Sequence, residues 1–164
     1  MSNPYLKFVS EYARLINEGS DYPLGGLAPV ARSTLAKDAP KVLVFSPHPD
    51  DECIVGGLPL RLLRELKMNV INVAVTLGSR KERQMERLAE LRNACAYLGF
   101  GLIQTGETGL EKINPQNRGS DNWKAAVETV ARIVEDNRPQ AIFMPHEGDW
   151  NSTHIGTNCL VTEA

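Results

Sequence analysis

The chain has 164 residues, 42% hydrophobic and 23% charged, with a formal net charge of -2. That length bounds it to one domain whose core needs no disulfide staple, and the near-balanced charge gives no basis for nucleic acid or an anionic membrane as partner. Three widely spaced cysteines, Cys53, Cys95 and Cys159, form no CxxC pair, which argues against a zinc knuckle or a disulfide framework and for a reducing, cytoplasmic compartment. The opening MSNPYLKF carries no basic segment followed by an apolar core, and no apolar run approaches the ~20 residues of a bilayer span.

Asn3 and Pro4 read as the start of an amphipathic helix, with Tyr5, Phe8, Val9, Tyr12, Leu15 and Ile16 at helical spacing and Gly19 as its stop. Residues 20–39, rich in Gly and Pro, read as a loop. The apolar run at 41–46 is the first strand. A helix is expected from Ile54 to about Lys67, with Leu58, Leu62, Leu63 and Leu66 on its inner face. A second strand at 69–76 leads into the basic loop Arg80-Lys81-Glu82-Arg83. This loop has the composition of a solvated turn, and its place at a strand exit also suits an anionic substrate group. A helix from Gln84 to Leu98 ends at Gly99. Leu102–Gln104 is a short strand, and 106–120 a long loop placed as a lid. Asp121 caps a helix to Asn137, Pro139 breaks it, and 141–144 is a fourth strand. The loop 145–154 leads into a last helix near His154.

Strand and helix alternate four times, which predicts an α/β fold: a three-layer, Rossmann-like parallel sheet with helices on both faces. With strand order 3-2-1-4, strands one and four are neighbours at the switch point, and their exit loops face each other. The first loop, Ser46-Pro47-His48-Pro49-Asp50-Asp51-Glu52-Cys53, holds one imidazole and three carboxylates. The second holds His146 and His154. His48, Asp51 and one histidine of the second loop would give two imidazoles and a carboxylate, the donor set of catalytic zinc and also of non-haem iron oxygenases. The plainer reading is that an aspartate caps the next helix and His48 is a loop histidine.

Pro47-His48-Pro49-Asp50-Asp51-Glu52 with Gly56-Gly57 resembles the first signature of the PIG-L/LmbE family of zinc-dependent N-deacetylases. Asp149-Trp150-Asn151-Ser152-Thr153-His154 is similar to its second signature, and Arg87-Leu88-Ala89-Glu90-Leu91 with Leu98-Gly99 to its middle helix. The resemblance spans about residues 41–164 and leaves 1–40 as an N-terminal helix and extended segment. It implies a hydrolase that removes an N-acetyl group from an N-acetylglucosamine-type sugar or conjugate. His48, Asp51 and His154 would bind Zn2+, or Fe2+ or another divalent ion in its place. Asp50 would be the general base toward the zinc-bound water. Arg87 falls where the family contacts substrate, and Trp150, beside the metal group, suits stacking on a sugar and equally a packing role. Glu52, His146 and Asp149 are assigned supporting positions around the ligands. Asn151 stands where the family often has a histidine that stabilises the oxyanion, and Thr153 where it has an aspartate; an asparagine amide also donates to an oxyanion. The alternative is a non-catalytic sugar- or metal-binding domain of the same fold. Family members run on past the last helix, so a C-terminally truncated domain is expected. The implied partner is a small amino-sugar substrate, with neither nucleic acid nor membrane; a homo-oligomer is compatible.

Overall fold

Successive side chains of a strand point to opposite faces, so the run Val42-Leu43-Val44-Phe45 has to be covered on both sides. The computed structural model describes residues 3–22, 31 and 33–164, and there this run is the central strand β1 (Lys41–Ser46) of a four-stranded sheet. The order is β3-β2-β1-β4, as expected, with β2 at Asn69–Ala74, β3 at Gly101–Gln104 and β4 at Ala141–Phe143. Every pairing is parallel, and β1 runs in register from Lys41 opposite Asn69 to Ser46 opposite Ala74.

Leu43, Phe45, Ile71 and Val73 pack against α5 (Asp121–Asn137) and α6 (Ser152–Glu163), where Trp123, Val130 and Leu160 are buried. Val42, Val44 and Val70 pack on the other side against α3 (Gly57–Arg64) and α4 (Gln84–Leu98), with Leu63, Leu88, Leu91 and Cys95. The result is three layers with an apolar core on each side of the sheet.

The chain divides into two units, residues 1–31 and 32–164. The first contains α1 (Leu6–Gly19), which has no buried residue. Its helix begins two residues after Pro4, with the Asn3 side chain accepting from the Tyr5 N–H at 2.9 Å. Part of the loop expected at 20–39, residues 23–30 and 32, lies outside the described residues.

The helix expected at 54–67 is instead two pieces. A single turn, α2 (Asp51–Ile54), starts inside the His-Asp-Asp-Glu loop, and α3 follows after a break at Val55-Gly56. The break resets the helical phase, so Leu58 and Leu66 face solvent while Pro59 and Leu63 are buried. Ser120, not Asp121, caps α5, its hydroxyl accepting from the Trp123 N–H at 3.2 Å. The loop at 106–120 is anchored to the sheet edge. Leu110 donates its N–H to Val75 O at 2.8 Å, and Ile113 enters the core.

The α6 helix is tied to α5 by one carboxylate. Glu163 accepts from the Trp123 indole N–H at 2.6 Å and pairs with Arg118. The Trp123 hydrogen bond, then the Arg118 charge, hold the Glu163 carboxyl below its usual range against the opposing pull of desolvation. A carboxyl whose folded pKa is depressed stabilises the fold above its unfolded pKa, about 4.3, and loses that contribution as pH falls through the folded value. Glu163→Gln will therefore lower the urea midpoint at pH 7 and leave it close to wild type near pH 3, as measured by unfolding titrations at both pH values.

Candidate metal centre and cleft

Two strand exits build the site. After β1 the backbone stays pinned to β2: Val75 donates its N–H to Ser46 O at 3.0 Å, and the buried Thr76 hydroxyl donates to Pro47 O at 2.6 Å. The next residues, His48 to Asp51, are thereby held at the carboxyl edge of the sheet. Across β4, Asn151 caps α6, its side-chain oxygen accepting from the Thr153 N–H at 2.8 Å. That cap sets the first turn of α6 so that His154 faces the β1 loop.

His48, Asp51 and His154 each offer one ligand atom, and these atoms lie within 4.8 Å of one another. Asp51 Oδ2 is 3.6 Å from His48 Nδ1 and 3.5 Å from His154 Nε2. The two rings have centroids 5.3 Å apart. Two imidazoles and a carboxylate this close, on a partly solvated edge, suit a divalent ion with an open position. The group can hold a metal. Burial pushes the Asp51 carboxyl up, but hydrogen bonds from the His48 side chain and N–H, with the two histidine charges, hold it below its usual value. The deprotonated oxygen needed for coordination is the favoured form.

The surrounding side chains orient this group. Asp149 Oδ2 lies 3.1 Å from His154 Nδ1, which leaves Nε2 turned toward Asp51. Glu52 is buried and accepts from the Asp50 N–H at 2.9 Å, so it braces the loop through Asp50 and not through His48. Asp50 sits at φ 131°, a conformation a non-glycine residue rarely adopts. Its carboxylate meets Arg87 Nη2 at 3.1 Å. The same Arg87 nitrogen donates to Pro49 O. Gly78, at φ +86°, makes room for this reach, since a Cβ there would lie 3.0 Å from Arg87 Nη1.

A cleft of about 670 Å³ opens beside the group, and His48, Thr76, Arg87 and Asn151 are among its lining residues. Sequence reasoning had placed Arg87 against substrate; it does line the cleft, while its guanidinium also holds Asp50. The Asn151 amide nitrogen has no hydrogen-bond partner among the described residues and is available to a ligand. His146 stands outside the three-residue group, its Nδ1 accepting from the Gly148 N–H at 3.0 Å. Trp150 is 92% exposed and lines a second, more apolar recess of about 470 Å³ with His146 and His154. Cys53 lies next to the centre, but desolvation and the Glu52 carboxylate push its thiol up to about 11, so it is a poor nucleophile at neutral pH. Missing from the sequence reading was the Asp50–Arg87 pair. Only the sheet order, which brings the exits of β1 and β2 side by side, could have suggested it.

Among the described residues no helix is long and apolar enough to cross a membrane. No curated protein matches the chain. Several solved structures share its fold. The N,N'-diacetylchitobiose deacetylase of Pyrococcus horikoshii is 22% identical, with TM-score 0.56 over 95% of this chain and 57% of its own. A 4-carboxy-2-hydroxymuconate hydratase, GalB of Pseudomonas putida KT2440, is 19% identical, with TM-score 0.59 over 76% and 55%. A conserved protein of Thermus thermophilus is 23% identical, with TM-score 0.53 over 74% and 53%. The chain thus spans little more than half the length of these proteins. A deacetylase and a hydratase on one scaffold show that the fold alone does not choose the reaction. The sequence profile of the PIG-L family, described as GlcNAc-PI de-N-acetylase, matches residues 43–164, which include both loops of the site. The chain belongs to the PIG-L family.

Proposed function

We propose that the chain is a zinc-dependent N-deacetylase of an N-acetylglucosamine-type sugar or conjugate. The observation that carries this reading is the placement of Asp50. It is not part of the three-residue donor group, yet it is adjacent to it in the loop and is clamped by Arg87 and Glu52. Pure metal binding needs no such extra carboxylate, whereas amide hydrolysis needs a base beside the activated water.

His48, Asp51 and His154 would hold the ion, which supplies Lewis acidity toward the amide oxygen and lowers the pKa of water to about 7. Asp50 takes the proton of the attacking water and later gives it to the leaving amine nitrogen. Arg87 fixes the direction of that carboxylate through its contact at 3.1 Å. The Asn151 amide donates to the oxyanion that develops on the former carbonyl oxygen. Unlike a histidine, it does so without carrying a proton away. Asp149 keeps the His154 ring oriented through Nδ1. Domain boundaries near residue 40, a cytoplasmic location and an amino-sugar substrate belong to the same reading.

Asp50→Asn separates the base from the metal site. Asparagine keeps the shape and tolerates the unusual backbone conformation better than most residues. The variant is expected to retain wild-type metal content and lose about 10²–10⁴-fold in kcat, measured as primary amine released from N-acetylglucosamine and its conjugates. A wild-type protein that binds zinc and releases no acetate from any such amide would favour the non-catalytic binding domain.

A further inference from the structure

The helix α1 belongs to neither core of the sheet. Tyr5, at its N-cap, and Phe8, Val9, Tyr12, Leu15 and Ile16 are 57–71% exposed. They recur at steps of three and four residues, so they form one apolar stripe along the helix. Phe8 and Tyr12 stack within it, their ring centroids 6.4 Å apart. A lone helix of 14 residues is marginal in water, and helices of this kind gain their stability from a covered apolar face. The charged residues of α1 are Lys7, Glu11, Arg14 and Glu18, and they cancel. Arg14 pairs within the helix with Glu11 at 3.0 Å and with Glu18 at 2.7 Å. Lys7 makes no ion pair among the described residues. The ends of the helix carry the wrong signs for its own dipole. Lys7 stands in the first turn and Glu18 in the last, with no acid in the first turn and no base in the last.

We propose that α1 pairs antiparallel with α1 of a second copy of this chain, about a two-fold axis near Tyr12. Charge complementarity sets both the occupant and its direction. A helix that lies on a bilayer has a cationic polar face, and the polar face of α1 is neutral. At about 3.6 residues per turn the four charged residues fall on one flank of the stripe, with Ser10 and Asn17 on the other. Antiparallel helices turn like flanks toward each other. That direction brings Lys7 beside the partner's Glu18 and the carbonyl end of the partner helix, so both misplaced charges become favourable. A parallel pair would set the charged flank against Ser10 and Asn17. The stripe is also large enough. Three aromatic side chains of about 150–250 Å² each, with the aliphatic residues between them, approach the ~600–800 Å² per partner of the smaller specific interfaces. The pairing is isologous, so one stripe serves both copies.

The test is sedimentation velocity of the full chain between about 1 and 200 μM, a span that brackets micromolar association. Wild type is expected to pass from monomer to dimer within it. Tyr12→Glu sets two carboxylates against each other at the axis and should raise the dissociation constant at least about 30-fold, as for a central aromatic contact. The urea midpoint should not move, since α1 has no buried residue. Lys7→Glu separates pairing from helix stability. It suits the dipole of a lone helix, yet it puts like charges across an antiparallel pair. The dissociation constant should therefore rise about three- to tenfold while the helical circular dichroism does not fall. The rise should shrink with added salt. Lys7→Glu/Glu18→Lys should restore association close to wild type. A chain that stays monomeric throughout overturns the proposal, whether or not it binds vesicles of phosphatidylcholine and phosphatidylserine. A dimer that survives Tyr12→Glu lies elsewhere on the chain and overturns it as well. Association that Lys7→Glu leaves unchanged or strengthens overturns the antiparallel pairing.

Discussion

His154→Ala is expected to weaken divalent-metal binding by far more than about 100-fold and, on the proposed deacetylase reading, to abolish amide hydrolysis with it. His154 provides one of three ligand atoms lying within 4.8 Å of one another. Its loss leaves His48 and Asp51, both from a single loop, and two donors do not make a closed site. The comparison that gives the number its meaning is Asp149→Asn. Asp149 touches only the far nitrogen of the His154 ring, at 3.1 Å. Outer contacts of this kind cost about 10–100-fold in metal affinity when removed. Competition against a chelator of known affinity should therefore rank wild type above Asp149→Asn, and Asp149→Asn above His154→Ala. The fold should persist in both variants, because the α6 core residues Leu160 and Val161 are untouched. Equal affinity for wild type and His154→Ala would remove α6 from the metal centre.

Gly156→Ala will destabilise the domain, because a Cβ there makes the shortest backbone approach of any described glycine. Gly156 lies on α6, two residues after His154, against the backbone of the loop from β3. A Cβ there would sit 2.6 Å from Ile113 O and 2.6 Å from Asn114 Cα. No carbon approaches backbone so closely, and neither neighbour can rotate away as a side chain would. Overpacking of this kind costs about 1–3 kcal/mol, and relief requires α6 to lift from the loop. Because α6 also carries His154, the variant should lose metal affinity together with its denaturant midpoint. Paired measurement of the two tests that linkage. A lowered midpoint with unchanged affinity would mean that the loop, not the helix, gives way.

The alternation of strands and helices was legible in the sequence because each strand is a short apolar run bounded by Gly, Pro or charge; the order 3-2-1-4 was assumed from the Rossmann-like pattern, and the sheet has it. The three-residue donor group was legible for the same reason: a fixed order of β1 and β4 brings His48 and His154 together. Their resemblance to a family's signatures then chose His154 over His146. What was not legible depends on backbone angles. The break at Val55-Gly56 cannot be seen in a leucine pattern that continues through it, so Leu58 and Leu66 were placed on the wrong side. The choice of Ser120 over Asp121 as cap is a shift of one residue between two good capping types. The Arg87 contact to Asp50 needs the left-handed turn at Gly78 and the strained Asp50 together. Composition carries no record of either.

The parallel order of the sheet also sets a timetable for the newly made chain. His48 and Asp51 leave the ribosome roughly 100 residues before His154, a delay of about 5–20 s at ~5–20 residues per second. For most of that interval β4 (Ala141–Phe143) has not yet been made, while β1, β2 and then β3 become available to pair. The nascent domain thus displays an imidazole and a carboxylate with no third donor and an open sheet edge beside them. The three-residue donor group is therefore complete only once β4 and then His154 have been made.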